Sequence, residues 1–150
     1  MLLGLTGIFI QCQSQDQNKK NEMGKDQWKD KLTDMQYYVT RQKGTEAPFT
    51  GKYWNFFEKG IYHCVCCNAE LFESDVKFAS SCGWPSFYGT KFEKNIRFES
   101  DSSHNMIRTE VLCRKCDAHL GHIFNDGPKP SGLRFCINSA SIRFEPIKPE

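Results

Sequence analysis

The sequence predicts an antiparallel β domain behind a short helical start, tied together by a structural metal site. Three observations point there. Beyond Gly44 the helical period disappears, and Gly, Pro, Ser and Asn punctuate short runs rich in aromatic and β-branched residues. Before it, Trp28, Leu32, Met35 and Val39 recur at helical spacing. Two Cys-x-x-Cys pairs stand far apart in the chain, at 64–67 and 113–116. With 150 residues, 39% of them hydrophobic, the chain has one domain's worth of core and is not disordered throughout. Lys+Arg 20 against Asp+Glu 18 is too little basic excess for a protein that grips nucleic-acid phosphates. Eight cysteines are about 5% of the chain, below the roughly 8–10% that marks a short disulfide scaffold, so each needs its own explanation.

Residues 1–12 open with an apolar run, MLLGLTGIFI, that ends at Gln11-Cys12. It is shorter than the ~20 residues a spanning helix needs and fits the apolar part of an export signal better, although no Lys or Arg precedes it. Cys12 stands where a lipoprotein signal places its lipidated cysteine, but Phe9-Ile10-Gln11 lacks the small residues usual there. A frayed apolar N-terminus is the other reading. The expected location is accordingly the cell envelope, as a lipoprotein, or the cytoplasm. Residues 13–25 are polar apart from Met23 and read as a solvated linker. The folded domain is expected over 26–150. Thr33-Asp34-Met35-Gln36 matches a capping box, so the helical start is expected to break at Thr33 into two short helices whose apolar stripe packs on the core. The clearest strand signals are Ile61–Val65, Met106–Leu112, Leu133–Ile137 and Ser141–Phe144.

Cys64, Cys67, Cys113 and Cys116 supply four thiolates, the donor count of a closed tetrahedral zinc site. The 45 positions between the pairs mean that a metal would join two distant knuckles and close a long loop. Two disulfides or a redox dithiol would use the same pairs, but a turn at each pair, Cys67-Asn68 and Cys116-Asp117, favours zinc. Four thiolates leave no open coordination position, so the metal is expected to be structural. Cys66 is left over as a spare thiol.

Arg134-Phe135-Cys136-Ile137-Asn138 alternates, so a strand would put Arg134, Cys136 and Asn138 on one face and Phe135 and Ile137 in the core. The neighbouring guanidinium would lower the thiol's pKa, as a nucleophile requires; a small buried hydrophobe is the alternative. His119 and His122 stand close before it and could act as general acids, or be a metal pair or two surface imidazoles. Ser80–Phe87 surrounds Trp84 with Gly83 and Pro85, a loop that either presents the indole to a ligand beside Cys82 or plugs the core with it.

Taken together these residues resemble the methionine-R-sulfoxide reductase B family. The likeness runs from about Lys31 to Phe144. It includes Thr45-Glu46 with Pro48-Phe49-Thr50-Gly51, both knuckles, Cys-Gly-Trp-Pro-Ser-Phe at 82–87, Asp117–His122, Asn125–Pro128 and Arg134–Ser139. The resemblance implies two antiparallel sheets of β-tent type with short N-terminal helices and a structural Zn2+ on Cys64, Cys67, Cys113 and Cys116. It implies that Cys136 attacks the sulfur of R-methionine sulfoxide, protein-bound and free, and becomes a sulfenic acid. His119 and His122 would position and protonate the oxygen, Trp84 would pack against the substrate methyl, and Arg134, Asn138 and Asp126 would organise the site. Cys82 would resolve the sulfenic acid as a disulfide that thioredoxin reduces, which requires the two Cα atoms to come within ~4.4–6.8 Å. Phe135 stands where the family commonly has Tyr, Asn125 where Pro is frequent, and Ser80-Ser81 where a glycine is commoner. A non-catalytic zinc-bearing module that binds through the Trp84 loop, and a nucleic-acid zinc ribbon, are the rival readings; neither accounts for the Arg134-Cys136-Asn138 face.

Overall fold

The computed structural model describes residues 27–148; the apolar segment 1–12, Cys12 and the linker 13–25 lie outside the described residues. The described chain divides at Lys31 into two units. In the first, residues 27–29 make a helical turn closed by the Lys31 N–H bonded to the Trp28 carbonyl at 3.2 Å. The second begins with α1, Asp34–Gln42. Its N-cap is Thr33, whose hydroxyl accepts the Gln36 N–H at 3.3 Å while the Gln36 side chain accepts the Thr33 N–H at 3.0 Å. The two bonds satisfy donors that a helix start leaves orphaned. The break at Thr33 is therefore present, but the expected stripe is not continuous: Val39 is fully buried whereas Met35 is 49% exposed.

Nine strands follow: β1 Gly60–Cys64, β2 Glu70–Glu73, β3 Lys77–Phe78, β4 Ser86–Phe87, β5 Ile96–Asp101, β6 Arg108–Cys113, β7 His119–Phe124, β8 Arg134–Ile137 and β9 Ile142–Pro146. They form two antiparallel sheets, ordered β2-β1-β9 and β3-β4-β8-β7-β6-β5. Four of them coincide with the runs read from sequence. The other five escaped that reading because they are short or their inward and outward residues do not sort by polarity: β7 begins with a buried histidine, β3 with a buried lysine and β4 with a buried serine.

Aromatic rings join the sheets. Phe72 stacks on Phe87 at 4.5 Å and meets Phe135 edge-on at 5.6 Å, while Tyr62 meets Phe87 at 5.2 Å. Leu71, Val111, Leu120 and Ile137 complete a core from which water is excluded. Rings of this size contribute most of the apolar area that drives the two sheets together.

One group works against this core. Lys77 on β3 is only 8% exposed, its ammonium lies 4.0 Å from the centre of the Phe57 ring, and no hydrogen-bond acceptor among the described residues reaches it. Burial pushes its pKa down to about 8 from the 10.5 of the free side chain. Between those values the unfolded chain binds more protons than the folded one, so stability rises with pH across that window. Lys77→Met is predicted to raise the urea midpoint at pH 7 by the equivalent of about 1–3 kcal/mol, and to flatten the rise that the wild type shows above pH 8.

Candidate active site

The register of the large sheet sets the geometry of the site. Cys136 on β8 pairs with His122 on β7 and with Ser86 on β4, and His122 pairs with Glu110 on β6. Cross-strand partners point to the same face, so thiol, imidazole and carboxylate stand in one row. Arg134, two residues from Cys136, and Phe124, two residues from His122, extend that face; the Arg134 guanidinium lies 4.5 Å from the centre of the Phe124 ring. Phe135 and Ile137 alternate into the core, as the pattern of β8 requires.

His119 and His122 are three apart, which on a regular strand would put them on opposite faces. The ladder corrects this. Val111 pairs with Gly121 but Leu112 pairs with His119, so β7 carries one extra residue there. The two imidazoles thereby come to 5.4 Å between ring centres. Each is held by a carboxylate: Glu110 accepts from His119 Nδ1 at 2.7 Å, and Asp101 at the end of β5 accepts from His122 Nε2 at 2.7 Å. Those acceptors assign the protons, leaving His119 Nε2 and His122 Nδ1 as the free ring nitrogens. Burial lowers both histidine pKa values, and the carboxylates offset this only in part. Lys43, leaving α1 with a left-handed backbone, bonds Glu110 at 2.8 Å; Arg108 bonds Asp101 at 2.9 Å. Hydrogen bonds from Ser103, with those from His122 and the charge of Arg108, hold Asp101 well below the usual carboxylate range.

A pocket of about 100 Å³ opens on this face, lined by Thr45, Trp84, Arg108, Gly121, His122, Phe124, Cys136 and Asn138. The Trp84 indole is half-buried; its N–H donates to the Glu46 carbonyl at 3.1 Å, which fixes the ring as a wall. The Asn138 amide bonds the Leu120 carbonyl at 3.0 Å and the Glu46 N–H at 3.0 Å. His119 does not line this pocket. It lines an adjoining polar cavity of about 300 Å³ with Lys43, Asp101, His104 and Glu110. A larger cleft of about 470 Å³ elsewhere has neither cysteine nor histidine in its wall. Asp126 also stays outside the pocket and grips Arg134 through two bonds of 2.8 and 2.9 Å.

Cys82 comes to the site from the turn before β4. Its sulfur lies 3.8 Å from that of Cys136, and both are free thiols. Ser80 Oγ accepts the Cys82 N–H at 3.3 Å and so braces the turn. Gly83 is required there: its φ is +89°, its carbonyl accepts the Phe49 N–H at 2.8 Å, and a Cβ would meet the Pro48 Cβ at 2.7 Å. Burial raises the Cys82 pKa, but bonds with the Ser80 and Ser86 hydroxyls outweigh it and the net shift is downward.

Cys136 departs from the sequence expectation. Its pKa is pushed up to about 12, chiefly by burial and then by the neighbouring Cys82; Arg134 pulls it down without prevailing. The strand pattern showed the cation but not that the thiol is partly withdrawn from water beside a second thiol. Asp101, Arg108 and Glu110 were missed altogether. Arg108 and Glu110 are charges within a β-branched run, which ordinarily marks a solvated face, and Asp101 stands in a polar stretch of serines.

The two Cys-x-x-Cys pairs meet at one end of the sheets. The sulfurs of Cys64, Cys67, Cys113 and Cys116 all lie within 4.8 Å of one another, with Cys64–Cys116 at 3.6 Å and Cys67–Cys113 at 3.5 Å. Metal–sulfur bonds of about 2.3 Å in a tetrahedron put sulfurs about 3.8 Å apart, so the cluster fits a metal ion. The knuckles are copies. Asn68 and Asp117 both take the left-handed backbone, and the N–H of each returns to the Cys64 or Cys113 carbonyl at 2.9 Å. Cys66 lies beside the cluster, half-buried.

A β-sheet face with a half-buried thiol, a second thiol in van der Waals reach and a carboxylate-held imidazole defines a thiol redox protein, and four further cysteines lie close enough together to hold a metal ion. Comparison with known proteins makes this specific. A SelR domain family model matches residues 32–146. Peptide methionine sulfoxide reductase MsrB of Cellvibrio japonicus (strain Ueda107) is 60% identical over 115 residues, covering 77% of this chain and 82% of the relative. The MsrB of Herminiimonas arsenicoxydans is 58% identical over 119 residues, covering 79% and 87%. The chloroplastic peptide methionine sulfoxide reductase B1 of Oryza sativa subsp. japonica is 54% identical over 129 residues, covering 85% of this chain and 60% of the relative. This chain belongs to the SelR domain family.

The causes of the Cys136 shift set a test that needs no substrate. Cys82→Ser should move the pH profile of Cys136 alkylation by iodoacetamide to lower pH, and Arg134→Ala should move it to higher pH. Coincident profiles in the three proteins would contradict the assignment.

Proposed function

We propose that the protein reduces the R epimer of methionine sulfoxide, in proteins and as the free amino acid, to methionine. One observation carries the reading: the Cys136 thiol opens into a pocket beside His122 and Trp84 with the Cys82 sulfur 3.8 Å away. Names of relatives in the same family support it.

With its pKa pushed up to about 12, the Cys136 thiol holds its proton at neutral pH, and this suits the reaction. Thiol plus sulfoxide gives sulfenic acid plus thioether, with no proton left over. The Cys136 sulfur attacks the sulfoxide sulfur as its proton passes to the sulfoxide oxygen, with His122, its neighbour in the sheet, as the relay. The hydroxyl then moves to the Cys136 sulfur as the transient S–S bond and the substrate S–O bond break, leaving a sulfenic acid and methionine. Asp101 orients that ring and steadies its charged form. Trp84 packs against the substrate methyl, Asn138 holds the polar side of the pocket, and Asp126 keeps Arg134 beside the reacting sulfur. His119, braced by Glu110, supports His122 from the adjoining cavity. Cys82 then attacks the Cys136 sulfur, water leaves with the sulfenic oxygen, and the disulfide is reduced by thioredoxin or a thioredoxin-like dithiol. The sulfurs start close enough that a small turn movement makes the bond.

Cys64, Cys67, Cys113 and Cys116 would hold Zn2+, which has no open position and serves to tie the sheets together. If the signal-like start is processed at Cys12, the protein works as a lipoprotein at the cell envelope.

Cys136→Ser is expected to abolish reduction of a peptide carrying R-methionine sulfoxide; retained turnover would sink the assignment. Cys82→Ser should release about one equivalent of methionine per enzyme and then stop with thioredoxin as reductant. Cys113→Ser should lose zinc by elemental analysis and melt on the order of 10 °C lower; full metal content would refute the ligand set.

A further inference from the structure

Glu46 lies in no regular element, yet it is only 4% exposed. All its polar groups are engaged. Its N–H donates to Asn138 Oδ1 at 3.0 Å, and its carbonyl accepts the Trp84 indole N–H at 3.1 Å. One carboxylate oxygen accepts the Ser139 N–H at 2.6 Å and the other the Ala140 N–H at 2.9 Å. Gly51 covers this carboxylate so closely that a Cβ there would lie 2.5 Å from Oε1. The backbone of one residue thus bridges two side chains that line the Cys136 pocket, Trp84 and Asn138. Its side chain is anchored to the segment that follows Cys136 in the chain. A buried carboxylate that accepts two backbone N–H groups keeps a fixed position, because losing either bond leaves a donor unpaired away from water.

We infer that Glu46 is a positioning residue for substrate binding: its carboxylate anchors the backbone that sets the spacing between the Trp84 wall and the Asn138 amide. Glu46 touches neither substrate nor the reacting sulfurs. It therefore governs how well the pocket receives the sulfoxide side chain and leaves thiol chemistry alone. This rests on the reductase reading above.

The test compares wild type, Glu46→Ala and Glu46→Gln on a short peptide carrying R-methionine sulfoxide, with dithiothreitol as reductant. Zinc content and the iodoacetamide rate of Cys136 are measured alongside. Glu46→Ala should raise KM about tenfold and leave kcat within about threefold of wild type. Its metal content and alkylation rate should match wild type, since iodoacetamide needs no Trp84 wall. Glu46→Gln keeps one acceptor oxygen, and its KM should fall between the two. An unchanged KM in folded Glu46→Ala, or a loss confined to kcat, overturns the inference. If Glu46→Ala fails to fold, Glu46→Gln decides it: a KM about threefold raised supports the role and a wild-type KM overturns it. A wild-type protein inert toward the peptide removes the reductase reading, and this inference with it.

Discussion

The pairing of β8 with β7 on one side and β4 on the other is the constraint on which the rest of the structure depends. It seats Cys136 opposite both His122 and Ser86. A slip of one residue would turn Cys136 into the core and bring Phe135 or Ile137 to the pocket, because side chains alternate with every step. The bulge at the start of β7 belongs to the same constraint. Without the extra residue, His119 and His122 could not share a face. Register, rather than any single contact, converts a short run of strand residues into a reactive site.

Register needs external support, since β4 has only two residues and β8 only four. Two devices outside the strands supply it. The cysteine cluster brings the end of β1 in the small sheet against the end of β6 in the large one, where a metal ion would close a loop of 45 intervening residues. The chain between α1 and β1 wraps the other side, where Glu46 binds Asn138, Ser139 and Ala140 just past β8. Helix α1 connects the two ends, with Arg41 bonding the Cys116 carbonyl at 2.9 Å and Lys43 bonding Glu110 at 2.8 Å. The second cysteine pair and the carboxylate that holds His119 are therefore contacted by neighbouring residues at the end of one short helix.

Much of this was legible in the sequence, for identifiable reasons. The capping box at Thr33, the alternation at 134–137 and the left-handed turns at Asn68 and Asp117 are local signals, each tied to a backbone geometry that few residue types satisfy. The rest depends on the fold. Glu110 and Asp101 carry no local signal of their role, because nothing around them in the sequence reveals that β6 and β5 carry them to the imidazoles. The apparent activation of Cys136 by Arg134 omitted burial, which decides the direction of the shift. The bulge cannot be read from His-Leu-Gly-His alone. The helical stripe failed at Met35 because periodicity shows which residues share a face, not whether that face meets a core.

Under the proposed function, sheet register places one thiol to attack and a second to resolve, while the four knuckle thiols are reserved for a metal ion. The direct measurement is one turnover without reductant, using peptides of each sulfoxide epimer, followed by mass-spectrometric mapping of every cysteine. The account predicts that only the R epimer reacts and that the single new disulfide joins Cys82 to Cys136, with Cys64, Cys67, Cys113 and Cys116 still reduced. A disulfide involving a knuckle cysteine or Cys66, or equal reaction of the S epimer, would contradict it.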